Sequence, residues 1–343
     1  MNIEDFVREN VKNLKPYSSA RDEFKGKADV FLDANESPFN TGLNRYPSPM
    51  QWALKNRLAE IKNILAEQVF LGNGSDEPID LLFRVFCEPG KHEVIIPVPT
   101  YGMYKISAEI NNVAYKEVFL TKNFQPNTSE ILSSAGENTR ILFLCSPNNP
   151  TGNLYEQEII EDLLKKFKGI VVVDEAYVDF SDKPSWITRL GEFDNLVVLQ
   201  TFSKAWGLAG IRLGMAFASK EIIGYMNKIK PPYNVNTLSQ RIALEALNNS
   251  EQHDSWVTAI LAQREILEGV LPTFPFVQEV YPTEANFILI RVNDARKLYN
   301  YLIAQGIVVR DRSSQPLCES TLRISVGTLE ENVKLLESLK AFE

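Results

Sequence analysis

The sequence predicts an α/β fold in which a largely parallel sheet is covered by helices and followed by a smaller α+β domain. Four short runs of continuous apolar residues occur between residues 94 and 199, and such runs are typical of strands buried on both faces. Segments with one apolar face, such as 156–167, lie between the runs and indicate helices. From about residue 241 the pattern changes to a second, smaller set of strands and helices.

Composition and charge indicate a soluble globular chain. The 343 residues are 44% hydrophobic and 23% charged, and the net charge of −8 argues against nucleic acid or an anionic membrane as the main partner. No apolar run approaches the roughly 20 residues of a membrane helix, and the first residues lack the features of a signal peptide. We therefore expect a cytoplasmic protein with no membrane partner. Three widely spaced cysteines and only two histidines predict free thiols and no metal site.

The first part of the chain contains an arm, a helix and a glycine-rich loop. Residues 1–28 predict a short helix and an extended arm, and residues 50–65 predict a longer helix. The loop from Gly72 to Pro78 precedes a helix whose apolar residues share one face. Glycines let backbone amides approach a ligand, and a helix start carries partial positive charge, so this loop is a candidate phosphate cradle. An ordinary capped helix start would explain the same residues.

The ends of the apolar runs carry the candidate ligand-binding residues, because ligands of parallel α/β sheets bind at the carboxyl ends of the strands. A carboxylate at the end of an apolar strand needs a cation, and a protonated pyridine nitrogen would provide one for Asp174. Tyr177 and Asn149 could then bind the phenolic oxygen of the ring, and Tyr101 could stack on its face. Taken singly, these residues could also cap a helix, fill the core or hold a turn.

The stretch from Thr201 to Arg212 follows the last apolar run and contains the candidate nucleophile. Desolvation beside a strand end disfavours the charged form of a lysine, so Lys204 is a candidate for forming a Schiff base with a carbonyl group. Arg212 is a forked donor suited to phosphate, and Thr201 and Ser203 add hydroxyls. An aldehyde site beside a phosphate site suggests pyridoxal 5'-phosphate. The alternative is an exposed loop lysine and a surface arginine.

The residues after 241 predict the smaller domain. Its expected elements are strands at 286–292, 307–310 and 321–326, and a helix at 295–305 that ends at Gly306. A last helix begins with Thr328 and Glu331 at capping-box spacing. Apolar residues alternate around Arg323, so its side chain projects from the opposite face, and Arg310 ends its own strand. Both arginines are candidate contacts for an anionic substrate.

Ordered motifs along nearly the whole chain carry a family resemblance. They include Asn44 to Pro47, Gly72 to Glu77, Pro99 to Gly102, Pro147 to Gly152, Asp174 to Tyr177, Thr201 to Arg212, Thr283 to Phe287 and Leu322 to Ile324. With these motifs the chain resembles the histidinol-phosphate aminotransferases, a branch of the fold-type I pyridoxal-phosphate enzymes. We expect an N-terminal arm at 1–28 that packs with the small domain, a large cofactor-binding domain at 29–240 and a small domain at 241–343.

The resemblance implies roles for individual residues. Lys204 would form the covalent link to the cofactor and carry the proton between substrate and cofactor. Tyr46 would reach the phosphate in the neighbouring subunit, which predicts a homodimer with shared active sites. Other cofactor contacts would be Gly74, Ser75, Asp76, Tyr101, Asn149, Asp174, Tyr177, Thr201, Ser203 and Arg212. Substrate contacts would be Tyr17, Asn286, Arg310 and Arg323.

The leading functional hypothesis is transfer of the amino group of L-histidinol phosphate to 2-oxoglutarate, which gives imidazole acetol phosphate and L-glutamate in histidine biosynthesis. Aromatic amino acid aminotransferases and a threonine-phosphate decarboxylase share much of this scaffold, so both are alternatives. A catalytically silent partner-binding protein is a further alternative. Such a protein would not need Lys204, Asp174 and Arg212 together.

Overall fold

Two β-sheets with helices packed against them form the described part of the chain, residues 1–17, 24 and 26–342 of the computed structural model. The strands of the large sheet are β1 (Val69–Asn73), β2 (Glu93–Val98), β3 (Ala114–Phe119), β4 (Thr139–Cys145), β5 (Ile170–Asp174), β6 (Leu196–Thr201) and β7 (Leu213–Ala218). The strands of the small sheet are β8 (Val277–Val280), β9 (Phe287–Val292), β10 (Arg310–Asp311) and β11 (Thr321–Ser325). The helices are α1 (Glu9–Asn13), α2 (Trp52–Lys62), α3 (Asp76–Phe86), α4 (Met103–Ile110), α5 (Thr128–Ser134), α6 (Gln157–Lys166), α7 (Lys220–Ile229), α8 (Thr237–Asn248), α9 (Ser250–Val270), α10 (Ala295–Ala304) and α11 (Leu329–Lys340).

The large sheet has the strand order β1-β7-β6-β5-β4-β2-β3 and is mostly parallel. Strands β2 to β6 run parallel to one another, whereas β7 is antiparallel to both β6 and β1. Every residue of β5 and β6 is buried, and two clusters of apolar side chains take up residues from alternate positions of these strands. The predicted fold class, a parallel-dominated sheet between helices with a smaller second sheet, is therefore confirmed.

Most of the predicted elements are present, but one strand was wrong. The apolar runs lie in β2, β4, β5 and β6, and the capping box of Thr328 and Glu331 begins α11. The strand predicted at 307–310 is reduced to β10, because Ile307 instead donates a backbone hydrogen bond back to Leu302 at the end of α10. Strands β1, β3, β7 and β8 were not predicted. Among the described residues, no helix is both long enough and apolar enough to span a membrane.

The first residues pack on the large domain, unlike the arm that was expected to pack with the small one. Ile3, Val7 and Val11 are buried in the same apolar cluster as Phe70 of β1 and Met226 of α7. The large domain therefore covers the apolar side chains of this segment. The rest of the predicted arm includes Ser18 to Arg21, which lie outside the described residues.

Helix α8 packs on the large domain although the predicted domain boundary falls inside it. Ala243 and Leu247 belong to the apolar cluster that also contains Leu54 and Leu58 of α2. The apolar cluster of the small sheet takes up residues only from α9 onward, beginning with Leu267. By packing, helix α8 therefore belongs with the large domain.

A glycine links the loop after β4 to the segment that precedes β9. The carbonyl of Gly152 accepts hydrogen bonds from the Glu284 N–H at 2.7 Å and the Thr283 hydroxyl at 3.5 Å. Gly152 has a φ of +84°, and a Cβ there would lie 2.3 Å from Oγ1 of Thr283. Only glycine allows this close approach, so the loop that carries Asn149 is fixed against the small domain.

Replacement of Gly152 with Ala should lower the free energy of unfolding by about 2–4 kcal/mol, because it adds both backbone strain and overpacking. Denaturant titration measures this loss. Gly191→Ala is the matched control, since a Cβ at Gly191 would meet nothing within 4 Å. This control should stay within about 0.5 kcal/mol of the unsubstituted protein. Equal stability of the two variants would contradict the role given to Gly152.

Candidate active site

The carboxyl ends of the central strands meet at a cavity of about 460 Å³. Parallel strands end at the same edge of a sheet, so residues far apart in sequence come together there. The predicted residues that line this cavity are Ser75, Asp76, Tyr101, Asn149, Asp174, Tyr177, Thr201, Ser203, Lys204, Arg212, Arg310 and Arg323. One cavity therefore contains the candidate nucleophile, the candidate phosphate contacts and the candidate substrate arginines.

A buried carboxylate forms the floor of the cavity. Asp174 is the last residue of β5 and accepts hydrogen bonds from the Tyr104 hydroxyl at 2.7 Å and the Ala176 N–H at 3.1 Å. Burial raises the pKa of Asp174, while these two hydrogen bonds act in the opposite direction. A buried carboxylate is costly without a cation, so Asp174 is suited to bind a protonated ring nitrogen.

Lys204 lies just beyond the end of β6, with its Nζ 5.4 Å from the centroid of the Tyr177 ring. Partial burial lowers the pKa of Lys204, the charge of Arg323 lowers it further, and Asp174 acts in the opposite direction. The side chain remains accessible from the cavity. A lowered pKa increases the fraction of neutral amine at neutral pH, and the neutral amine is the form that attacks a carbonyl.

One end of the cavity is suited to phosphate. Gly74 has a φ of +69°, and a Cβ there would lie 2.5 Å from Nη2 of Arg212, so glycine permits the arginine to approach. The same Nη2 lies 3.5 Å from Oδ2 of Asp76 at the start of α3. The hydroxyls of Thr201 and Ser203 are 3.0 Å apart beside them. A guanidinium, hydroxyls and the N-terminus of a helix together form a typical phosphate site.

Two tyrosines and an asparagine form the walls between the lysine and the carboxylate. The Asn149 Nδ2 lies 3.5 Å from the Tyr177 hydroxyl, and the Tyr101 hydroxyl donates to Oδ1 of Asp76 at 3.1 Å. Burial raises the pKa of both tyrosine hydroxyls, so they remain protonated and can donate hydrogen bonds. Their placement suits a flat ring with an oxygen substituent.

The small domain supplies cationic groups on the opposite side of the cavity. Arg310 of β10 lies directly across from Arg323 of β11 in the antiparallel register. Nη1 of Arg323 donates to Oδ1 of Asn149, which connects the small domain to the loop after β4. The guanidinium carbon of Arg323 also lies 5.1 Å from the centroid of the Phe287 ring. An anionic substrate beside Lys204 would meet this side of the cavity.

Four predicted residues are not among those that line this cavity, and one of them, Gly74, lies beside Arg212 at the end suited to phosphate. Tyr46 lines a separate cavity of about 630 Å³, where its ring stacks on Tyr233 with the centroids 4.4 Å apart. Tyr17 is exposed and directly precedes the residues that the structure does not describe. Asn286 is outside the lining because it lies at the start of β9, where its carbonyl accepts a backbone hydrogen bond from Val326. Within one subunit, Tyr46, Tyr17 and Asn286 therefore do not line the cavity that contains Lys204.

Tyr104 and Arg312 are among the residues at the site that were not predicted. Tyr104 is fully buried and stacks on Phe143 with a centroid separation of 4.7 Å, which fixes the hydroxyl that contacts Asp174. Nothing in the sequence near Tyr104 indicates this contact, since 70 positions separate the two residues. Arg312 also lines the cavity, and here a signal was present, because Arg312 follows Arg310 by two positions.

Comparison with known proteins identifies the family. The chain belongs to the class I and II aminotransferases, whose family pattern it matches over residues 24–339. A histidinol-phosphate aminotransferase from Flavobacterium johnsoniae is 55% identical over 341 residues, which are 98% of each chain. The crystal structure of a histidinol-phosphate aminotransferase from Clostridium acetobutylicum aligns with a TM-score of 0.81 at 26% identity, covering 88% of this chain and 91% of that one. The enzyme from Sinorhizobium meliloti, in complex with pyridoxal-5'-phosphate, has the same fold, with a TM-score of 0.80 at 22% identity over 87% of this chain and 83% of that one.

The cofactor of this aminotransferase is pyridoxal 5'-phosphate, and the cavity has a residue suited to each part of it. The amine of Lys204 fits the aldehyde, and the buried carboxylate of Asp174 fits the ring nitrogen. Arg212, with the close approach that Gly74 permits, fits the phosphate. The predicted family, enzyme type and cofactor are thus confirmed.

Replacement of Lys204 with Ala should lower turnover by several orders of magnitude, because it removes both the covalent link and the proton carrier. Borohydride reduction followed by intact-protein mass measurement should add a covalent cofactor to the unsubstituted enzyme and none to the variant. The exposed lysine at the start of α7 provides the control, and Lys220→Ala should change neither result. Near-normal turnover of the Lys204 variant would contradict its assignment.

Proposed function

We propose that the enzyme transfers the amino group of L-histidinol phosphate to 2-oxoglutarate, giving imidazole acetol phosphate and L-glutamate in L-histidine biosynthesis. The observation that carries this proposal is the 55% identity, over nearly the full length of both chains, with a relative named histidinol-phosphate aminotransferase. The arginines beside Lys204 support it. In a chain with a net charge of −8, an anionic substrate requires such a local cluster of cations.

The residues of the large domain bind and polarise the cofactor. Bound pyridoxal phosphate supplies an aldehyde that accepts the amino group and a ring that withdraws electrons from the substrate α-carbon. Asp174 would hold the proton at the ring nitrogen, and Tyr177 and Asn149, which line the same cavity, would donate hydrogen bonds to the phenolic oxygen. Arg212 and Ser203 would bind the phosphate. Because Asp174 is buried, water competes little for the ring nitrogen.

Lys204 carries the proton in the transfer. With the cofactor bound, its Nζ would be the base that takes the proton from the α-carbon of the substrate and would hold this proton for return during the transfer. Its lowered pKa leaves neutral amine available for this step. Arg323 binds the anionic group of each substrate in turn, phosphate or carboxylate, and its hydrogen bond to Asn149 fixes the guanidinium relative to the cofactor site.

The active enzyme is a homodimer in which Tyr46 completes the site of the neighbouring subunit. Tyr46 is half exposed and lines a cavity that is separate from the one containing Lys204. The chain around it presents further exposed apolar side chains, namely Val30, Leu32, Phe39 and Leu43. An exposed apolar surface of this kind marks an interaction surface. We assign this surface to a second copy of the chain, whose active site Tyr46 would then enter.

The location is the cytoplasm, where histidine biosynthesis would take place. Cys87, Cys145 and Cys318 are all buried and free, as the sequence predicted. Free thiols without a disulfide are typical of a reducing compartment.

A panel of amino donors with 2-oxoglutarate as acceptor tests the substrate. L-histidinol phosphate should be the best donor, and L-histidinol should be about 10²–10⁴-fold poorer in kcat/KM, because two charged hydrogen bonds to arginine are lost. Equal use of phenylalanine or tyrosine would instead identify an aromatic aminotransferase. Release of CO₂ from L-threonine phosphate would identify a decarboxylase, and no reaction with any donor would indicate a silent protein.

Mixing two inactive variants tests the shared site. Tyr46→Ala and Lys204→Ala subunits should together regain activity, because one site of each mixed dimer then contains both unsubstituted residues. Complete subunit exchange predicts about a quarter of the activity of the unsubstituted enzyme, since half the dimers are mixed and each has one complete site. Native mass spectrometry of differently tagged subunits verifies the exchange. No recovery after verified exchange would show that Tyr46 acts within its own subunit or not at all.

A further inference from the structure

The antiparallel pair β10–β11 places three arginines on one face. Arg310 lies across from Arg323, and the backbone N–H of Arg312 donates to the carbonyl of Thr321, which continues the same register by two residues. Side chains at alternate positions of a strand share a face, so Arg312 points to the same side as Arg310. Leu322, on the opposite face, is buried in the core of the small domain. All three arginines accordingly line the cavity that contains Lys204.

This group of arginines has no carboxylate partner within the part of the chain that the structure describes. Among the described residues, Arg323 donates only to the neutral side chain of Asn149, and the buried Nε atoms of Arg312 and Arg323 have no hydrogen-bond partner. Burial lowers the pKa of Arg312 to about 10, and the charges of Arg323 and Arg310 contribute to the same shift. Like charges at opposite positions of a strand pair are unfavourable, so an anionic ligand is needed to compensate them.

We infer that Arg312 is a third substrate-binding arginine and that it selects a phosphate monoester over a carboxylate. The inference rests on the proposed function and extends it, since that function assigns the substrate anion to Arg323, and the sequence analysis adds Arg310 as a second candidate. A phosphate monoester carries a charge of about −1.5 to −2 at neutral pH and three acceptor oxygens. A carboxylate carries one charge and two oxygens. Three guanidinium groups therefore match a phosphate better than a carboxylate, because a carboxylate has fewer oxygens and less charge for the third guanidinium to bind.

The distance between the anionic group and the amine-bearing carbon of the substrate also favours binding of a phosphate by Arg312. In a phosphate ester the anionic group is separated from the amine-bearing carbon by a methylene and an oxygen, whereas the α-carboxylate of glutamate is attached to that carbon directly. Arg323 is the arginine fixed against the cofactor site, through Asn149. Arg312 lies one strand away and, with Arg310, belongs to the part of the face that the longer group meets. The charge of the phosphate and its distance from the amine-bearing carbon thus both indicate that Arg312 prefers a phosphate monoester to a carboxylate.

Half-reaction kinetics of Arg312→Gln test this selectivity. For L-histidinol phosphate, kcat/KM should fall by about 10–100-fold, as expected for loss of one charged hydrogen bond. The kcat/KM of Arg312→Lys should lie between the values of the unsubstituted enzyme and of Arg312→Gln. The ratio of phosphate-ester to glutamate kcat/KM should fall at least about tenfold, because the carboxylate depends less on this residue. Arg323→Lys should impair both half-reactions. Arg296→Gln, at an exposed arginine of the same domain, is the matched control and should change neither.

Thermal unfolding of the holoenzyme in a titration with inorganic phosphate gives a second readout that does not depend on catalysis. Phosphate should raise the melting temperature of the unsubstituted enzyme, and Arg312→Gln should require at least about tenfold more phosphate for half the effect. Without phosphate, the variant should be at least as stable as the unsubstituted enzyme, because a repulsion has been removed. A purely structural arginine would instead lower the melting temperature under both conditions.

The outcomes separate the inference from the function on which it rests. If the unsubstituted enzyme does not use L-histidinol phosphate, the proposed function fails, whatever Arg312 does. If it uses this substrate and Arg312→Gln leaves both the ratio and the phosphate response unchanged, the inference is overturned. An equal loss with both substrates also overturns it, because Arg312 would then bind anions without selecting between them.

Discussion

The burial of one carboxylate, that of Asp174, is the constraint on which the rest of the site depends. It ends a strand that is buried on both faces, where an uncompensated charge would be costly. Tyr104 and the Ala176 N–H satisfy part of its hydrogen-bonding capacity, and the side chain also faces the cavity. Strands β4 and β6 pair with β5 on either side, so Asn149 and Lys204 are brought beside the same carboxylate. A cationic ring at this position thus meets groups from three neighbouring strand ends.

The parts of the fold that could be predicted are those in which local pattern and burial agree. Strands β5 and β6 are buried throughout and read as continuous apolar runs. Strand β3 lies at the edge of the sheet with most of its side chains partly or fully exposed, so no such run marks it. Strand β10 has only two residues and depends on pairing with β11, which local sequence does not reveal. The position of the first residues likewise depends on which domain offers an apolar surface.

The site likewise contains residues that local sequence reveals and residues that only the folded chain brings into place. The placement of Lys204 and Asp174 in the cavity was predictable, because each follows or ends an apolar strand that the sequence reveals. Tyr104 is brought to Asp174 by a contact across 70 positions, and Arg312 is placed by a register that only the paired strands define. Tyr46 lies in a different cavity from Lys204, so its role depends on an assembly that one chain does not contain.

The lysine proposed to carry the reaction and the arginines proposed to bind the substrate anion belong to different sheets. They are connected near the cavity by the hydrogen bond from Arg323 to Asn149 and by the contact of Thr283 with Gly152. With these proposed roles, the chemistry is encoded in one part of the chain and substrate choice in another. Substitutions in the short segment from Arg310 to Arg323 can alter which amine is accepted and leave the strand ends of the large sheet intact. A scaffold divided in this way can diversify its substrates during evolution while it retains its reaction.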